Sequence, residues 1–380
     1  MSLPRATLLF SLISLAAITA PAGAQSPWPA ESWSAATNLT GVEGPIPNDF
    51  GNDLSGAFWN PLTRRLWLCR NGPTATTSKM WALAESGPTF IVDSRAGNRA
   101  EWTSFGDFEA LTQVDPAQEI IYAMIEGEEV IKSYSVGTYG AAILQRSWNT
   151  RPFLPLSGGL GAEGLAFIPD AHLRAAGFVD PLGNPYTSTR GMGGLMFVGH
   201  QNGGRIYTFD LDPASNTFSY VGAYLTGDTE TAELCFDRST GQLLAWHGNL
   251  NRLEVLGLGS TIVGNERKLT TIASYSQPTG APGLPNIEGL AIVANDDGLI
   301  NARSLFLTID DGGATSLLWF KHFPTVCRAD INHSGTLSVQ DLFDFLAGYF
   351  SAAPWADFNF SGTTTVQDLF DLLAAYFAGC

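Results

Sequence analysis

The sequence predicts an all-β fold: a β-propeller of five blades, with room for a degenerate sixth, followed by a small α-helical C-terminal module with two calcium loops. Three observations predict it. One short phrase recurs through the body of the chain at a period near 54 residues. Short β-rich runs separated by turn residues follow each copy, with no long helical pattern between them. The C-terminal segment instead carries two copies of one acidic loop, each followed by an apolar helix.

The recurrent phrase reads Asp53-Leu54-Ser55-Gly56, Asp107-Phe108-Glu109-Ala110, Gly161-Ala162-Glu163-Gly164, Thr231-Ala232-Glu233-Leu234 and Asn286-Ile287-Glu288-Gly289. Its third positions are spaced by 54, 54, 70 and 55 residues. The longer gap holds a Gly- and Pro-rich stretch, 171–192, which reads as a loop insertion. A second strand is expected after each phrase, at 66–69, 120–123, 195–198, 243–246 and 305–308. Such units stack radially because one four-stranded sheet cannot bury both of its faces alone. Segment 141–156 has no place in this scheme and is where a sixth blade would fit. A strand near 33–39 is expected to close the ring by joining the last blade.

The N-terminus has the form of a secretory signal. Arg5 supplies charge, 8–18 an apolar core too short to span a membrane, and Ala22-Gly23-Ala24 a cleavage site. The expected organisation is a signal peptide at 1–24, a propeller domain at 25–324 and the small module at 325–380. The expected location is secreted, cell-surface or periplasmic. A net charge of −16 repels nucleic acid and anionic membranes and attracts cations. Export permits disulfides. Cys327 and Cys380 bracket the module and are predicted to pair, whereas Cys69 and Cys235 lie in apolar runs and read as buried thiols.

The two acidic loops are Asp330 to Asp341 and Asp357 to Asp368, offset by 27 residues. Each places oxygen side chains at loop positions 1, 3, 5, 9 and 12 and Gly at 6, the ligand spacing of an EF-hand-type calcium loop. Calcium is a hard cation that takes six to eight oxygens, and position 7 adds a backbone carbonyl. Ser at position 5 and Asp, not Glu, at position 12 weaken both loops. The other reading of these segments is Asx turns that cap two helices.

The module resembles a dockerin of the variety that ends in Gly-Cys, here Gly379-Cys380. The resemblance implies calcium ligands Asp330, Asn332, Ser334, Thr336 and Asp341, then Asp357, Asn359, Ser361, Thr363 and Asp368. It also implies attachment to a cohesin-like or cell-surface partner. The repeats in the body, above all the Glu-Gly-Leu-Ala phrases at Glu163 and Glu288, resemble the SdiA-regulated propeller family and more loosely the esterase-like phytase propellers. That resemblance implies a fold and brings no assigned reaction with it.

In a propeller the first strand of each blade lines the central channel, and its start shares a face with the end of the second strand. The channel-mouth candidates are therefore Glu109, Glu163, Glu233 and Glu288, with Ser55 in the first blade, and Arg70, Glu126, His200, His247 and Asp310-Asp311 at strand-two ends. Four converging carboxylates repel one another, and a cation such as calcium would relieve them. Alternatively each Glu accepts hydrogen bonds from neighbouring backbones and only staples the ring. His172 falls in the insertion, and Trp67, Trp246 and Trp319 read as core. No GxSxG, HExxH or P-loop occurs. The expected function is binding of a ligand or surface partner at the mouth. The alternative is a calcium-dependent hydrolase, phosphoesterase or glycosidase-like, built on the mouth glutamates. With Arg70 the only base expected there, the mouth suits a phosphate ester poorly.

Overall fold

The computed structural model describes residues 25–44, 49–50, 53–72, 78–103, 106–155, 160–295, 303–332 and 334–379. The expected signal peptide, His333 and Cys380 lie outside the described residues.

The body is mostly β and propeller-like. Its strands run as successive antiparallel meanders. The first comprises Leu54–Asn60, Arg65–Arg70, Lys79–Ser86 and Thr89–Val92, with Glu101–Thr103 also paired to its third strand. The second is Asp107–Thr112, Ile120–Glu126, Val130–Ser135 and Ile143–Asn149. The third is Ala162–Pro169, Gly194–His200, Arg205–Leu211 and Phe218–Leu225. The fourth is Glu233–Asp237, Gln242–His247, Arg252–Val263 and Glu266–Ser276. The fifth is Ile287–Ile292, Arg303–Ile309 and Leu317–Phe323, completed by Thr37–Asn38 from the N-terminal side, with Thr37 opposite Trp319. The outer strands of the third and fourth meanders also pair in parallel, Tyr224 with Arg267, so these two form one eight-stranded sheet.

The five innermost strands are neighbours in ring order, the last packed on the first. Apolar side chains fill the wedge between each adjacent pair of meanders. Trp67 stacks on Trp102 between the first and second, with ring centroids 5.1 Å apart. Trp59, Phe306 and Trp319 stack between the fifth and first. Trp246 lies fully buried between the fourth and fifth. Burial of such rings is worth about 25 cal/mol per Å² of apolar surface, and it holds neighbouring meanders face to face.

Strand Ile143–Asn149, within the segment where the sequence left room for a sixth blade, is the outer strand of the second meander. The insertion is not wholly irregular. It opens with helix α1, Asp170–Ala175, which carries the buried His172.

The tail contains α2, Val339–Phe350, and α3, Val366–Ala378. Each begins with a capping box, Ser338 with Asp341 and Thr365 with Asp368. Phe345 and Leu372 pack together over Ala329, Ala356 and Phe358 in a separate small core. The tail sits on the propeller. Phe360, in the second acidic loop, stacks on His172 at 4.1 Å. The Arg328 guanidinium covers Phe358 and Phe360 at 4.3 and 4.8 Å. Asn295 and Val326 exchange hydrogen bonds of 2.6 and 2.8 Å. Cys69 and Cys235 are buried free thiols, and Cys327 is held in a disulfide; its expected partner Cys380 is outside the described residues.

Candidate functional site at the channel mouth

The recurrent phrase has a local structural meaning. In four innermost strands the pairing with the second strand slips at the third position of the phrase. The slips lie between Leu54 and Ala57, opposite Met124 and Ile125, between Ala162 and Leu165, and between Ile287 and Gly289. Ser55, Glu109, Glu163 and Glu288 are thus bulge residues. A bulge releases a residue from the ladder and re-aims its side chain. Glu233 is the exception, paired in register with Trp246.

The Gly that follows in three copies answers a steric demand. A Cβ on Gly56 would lie 2.6 Å from the Ala110 Cα, one on Gly164 2.7 Å from the Leu234 amide, and one on Gly289 2.2 Å from the Ser55 carbonyl. Innermost strands of adjacent meanders meet there backbone to backbone, which only glycine permits.

The glutamates differ in their partners. Glu233 accepts the Leu234 amide at 2.7 Å and the Leu165 amide of the neighbouring meander at 3.4 Å, so it bridges two innermost strands. Glu288 accepts from Asn286 at 2.8 Å and from the Ser55 hydroxyl at 3.4 Å. Glu109 accepts from the Asn71 amide at 3.2 Å through Oε1, while its buried Oε2 has no donor. One carboxylate from each of Asp107, Glu109 and Glu126 converges, their oxygens all within 4.8 Å of one another. Among the described residues no ion pair reaches Asp107, Glu109, Glu126, Glu163, Glu233, Glu288 or Asp310.

The electrostatic consequence is uniform. Burial, and then the negative charge of Asp107 close by, pushes Glu109 up to about 8. Burial and the charge of Glu109 raise Glu163 well above the carboxylate range. Glu233 is raised by burial despite its amide partners, and Glu288 by burial and Asp310. Asp310 rises to about 6, chiefly by burial. Asp107 and Glu126 are also raised by burial. Burial, and then the charge of Glu109, raises the buried Cys69 thiol well above its usual value, which favours its protonated form.

The other candidates fall as follows. Asp310 accepts from Asn286 at 3.1 Å, the same amide that donates to Glu288, and so belongs with Glu288. His200 is buried at the end of its strand, its Nδ1 accepting the Asn202 amide at 3.0 Å; burial depresses it to about 4, so it is neutral. His247 is turned into its own meander, 2.9 Å from Glu254. Arg70 is committed to Asp49, whose backbone carbonyl accepts from its Nη1, and lies 5.8 Å over the Trp81 ring. Neither joins the glutamates. Two participants were missed, Asp107 and Asn286. Both occupy the first position of the phrase, and that column was the unused signal.

The tail loops form a second acidic region with a different internal order. Asp330 accepts the Ser334 amide at 2.9 Å and the Gly335 amide at 2.8 Å. Asp357 repeats this with Ser361 and Gly362 at 2.9 and 2.7 Å. Asp341 and Asp368 accept the Ser338 and Thr365 amides at 2.8 and 2.7 Å. Among the described residues no helix is long and apolar enough to cross a membrane.

No family model and no curated protein matches the chain. Among solved structures, a protein from Lactobacillus plantarum is similar at 12% identity and a TM-score of 0.34, over 67% of this chain and 63% of its own length. The chain therefore spans less than two thirds of that structure.

Proposed function

We propose that the protein is an exported five-bladed propeller, each meander one blade, that binds a ligand through its channel mouth and is fastened to a partner by a dockerin-like, calcium-loaded tail. The observation that carries the mouth reading is the gathering of buried carboxyl groups that, among the described residues, no cationic side chain pairs with. Such a mouth is costly to ionise until positive charge arrives, so it favours a ligand that brings that charge with it. The test is a thermal-shift panel on the full chain with polyamines, neutral oligosaccharides and phosphate esters. A shift confined to the cationic set supports the reading, and no shift with any cation sinks it.

Two features support the tail reading. Its buried aspartates point oxygens into each loop and are bonded to amides, a donor set that fits a hard cation. The ligands would be Asp330, Asn332, Ser334, Asp341 and the Thr336 carbonyl, with Asp357, Asn359, Ser361, Asp368 and the Thr363 carbonyl in the second loop. Moreover Val339, Phe343 and Phe350 on α2, and Val366, Phe370 and Phe377 at the same offsets on α3, are exposed. Exposed apolar rows of this kind suit a protein partner. The signal-like segment 1–24 supports export.

One observation favours the hydrolase alternative. Glu109 and Glu163 lie together and burial raises both above the usual carboxylate range, so the mouth holds protonated carboxyls able to act as a general acid. A hydrolase panel run with calcium and with chelator decides. Turnover abolished by Glu163→Gln supports the enzyme, and no turnover in either condition supports a binding protein.

A further inference from the structure

We propose that the second meander holds a divalent-cation site of the calcium type, formed by Asp107, Glu109 and Glu126. It rests on the reading of the mouth as a ligand site and specifies what the carboxylates there hold first.

The backbone builds the site. Asp107 begins the innermost strand and lies directly opposite Glu126, the last residue of the second strand. Like charges directly opposite in an antiparallel pair are unfavourable, so the sheet alone gives no reason for this pairing. The bulge opposite Met124 and Ile125 turns Glu109 to the same side. The three carboxylates then fall within 4.8 Å of one another, inside the span of oxygens held at about 2.4 Å around a calcium ion.

Glu109 supplies the independent sign of a ligand. Only 3% of its surface is exposed. The Asn71 amide engages Oε1 at 3.2 Å, while Oε2 is buried and without a donor. A buried carboxylate oxygen with no donor is costly unless something cationic supplies the missing partner. Gly161 completes the enclosure. A Cβ there would lie 2.2 Å from the Glu126 Cγ, so glycine at 161 is what lets Glu126 stand where it does.

The chemistry selects the ion. Three carboxylates and no imidazole or thiolate ligand favour a hard cation over zinc or copper. Asp107 and Glu126 are only half-buried, so one side of the site faces the mouth. Water or an oxygen of the ligand would complete the shell there. Charge at the mouth would then be neutralised locally, and a ligand carrying hydroxyl or carboxylate oxygens would be recognised through the ion.

The test is calcium titration calorimetry on the full chain carrying Asp330→Asn and Asp357→Asn, which removes the first ligand of each tail loop. The expected result is one saturable calcium site per chain, weakened at least tenfold by Glu126→Gln and again by Asp107→Asn. Each variant is checked by thermal melting, and the two single variants give independent routes should one fail to fold. Absence of saturable binding in the folded tail-disabled protein overturns the proposal, as does binding that Glu126→Gln and Asp107→Asn leave unchanged. Spermidine, titrated in parallel, separates the two readings. Binding of spermidine without calcium sinks the metal site and leaves the mouth reading standing. Calcium binding without spermidine supports the metal site and counts against a mouth for organic cations.

Discussion

The protein gathers acidic side chains in two places, and the two are electrostatic opposites. In the tail every first and last loop aspartate is served by backbone amides, and Asp341, although burial opposes it, is held below the usual carboxylate range by the amides of Ser338 and Asn332. At the mouth the carboxylates face one another with few donors, and Glu109, Glu163, Glu233 and Glu288 are all raised. The difference lies in the backbone. A turn at a helix start directs several N–H groups inward, whereas strand amides are already spent on the ladder. The same functional group therefore gives a region content to be charged and a region that resists it.

The sharpest way to break this contrast is to remove one charge from each region. Asp368→Ala deletes the capping box of α3 and is expected to destabilise the tail by about 2 kcal/mol in chelator, followed by helix signal in urea. Glu109→Gln, made without calcium, is expected to stabilise the propeller by about 1 kcal/mol, because its new amide can donate to Glu163. Equal signs for the two would end the distinction.

The seat between the regions is next. His172→Ala removes the stack on Phe360 and is expected to cost about 1 kcal/mol and to speed proteolysis near 325–338. The seat also depends on pH. Burial holds His172 at about 4, below its unfolded value of 6.5. Its contribution is thus full above 6.5 and lost as pH falls through 4, so tail protection should fade over that window and the fading should vanish in His172→Gln.

The smallest effect has the opposite slope. Asp310 is raised from 3.8 to about 6, so its contribution is full below 3.8 and lost as pH rises through 6. Asp310→Asn should flatten the decline in melting temperature between pH 4 and 7 by a degree or two, of the order expected of a partly exposed group.

Much of this was legible in the chain. The 54-residue period located the innermost strands because each meander repeats one set of steric demands, and the second strands all fall where apolar runs follow turns. The strand at Thr37–Asn38 was also foreseen, since a ring needs closing. What could not be read was the side-chain direction that separates Glu233 from its counterparts. That depends on a one-residue slip in strand pairing, and Leu234, where the other copies have Gly or Ala, was its sole trace. His247 misled for a related reason. Its column matches His200, yet Glu254 on the next strand captures it. The helix at Asp170–Ala175 was hidden because it is short and is held by packing on the tail, contacts that no local pattern encodes.

The closing strand has a consequence for how the chain comes to be folded. Asn38 donates to the Ala314 carbonyl across 276 residues of sequence. Thr37–Asn38 therefore precedes all five meanders in the chain and has no partner until almost the whole ring has been made. Contacts of such separation form late and slowly. Until Leu317–Phe323 arrives, the ring stays open at that seam with its apolar wedge uncovered, and that is the interval in which the folding chain is most vulnerable to proteases.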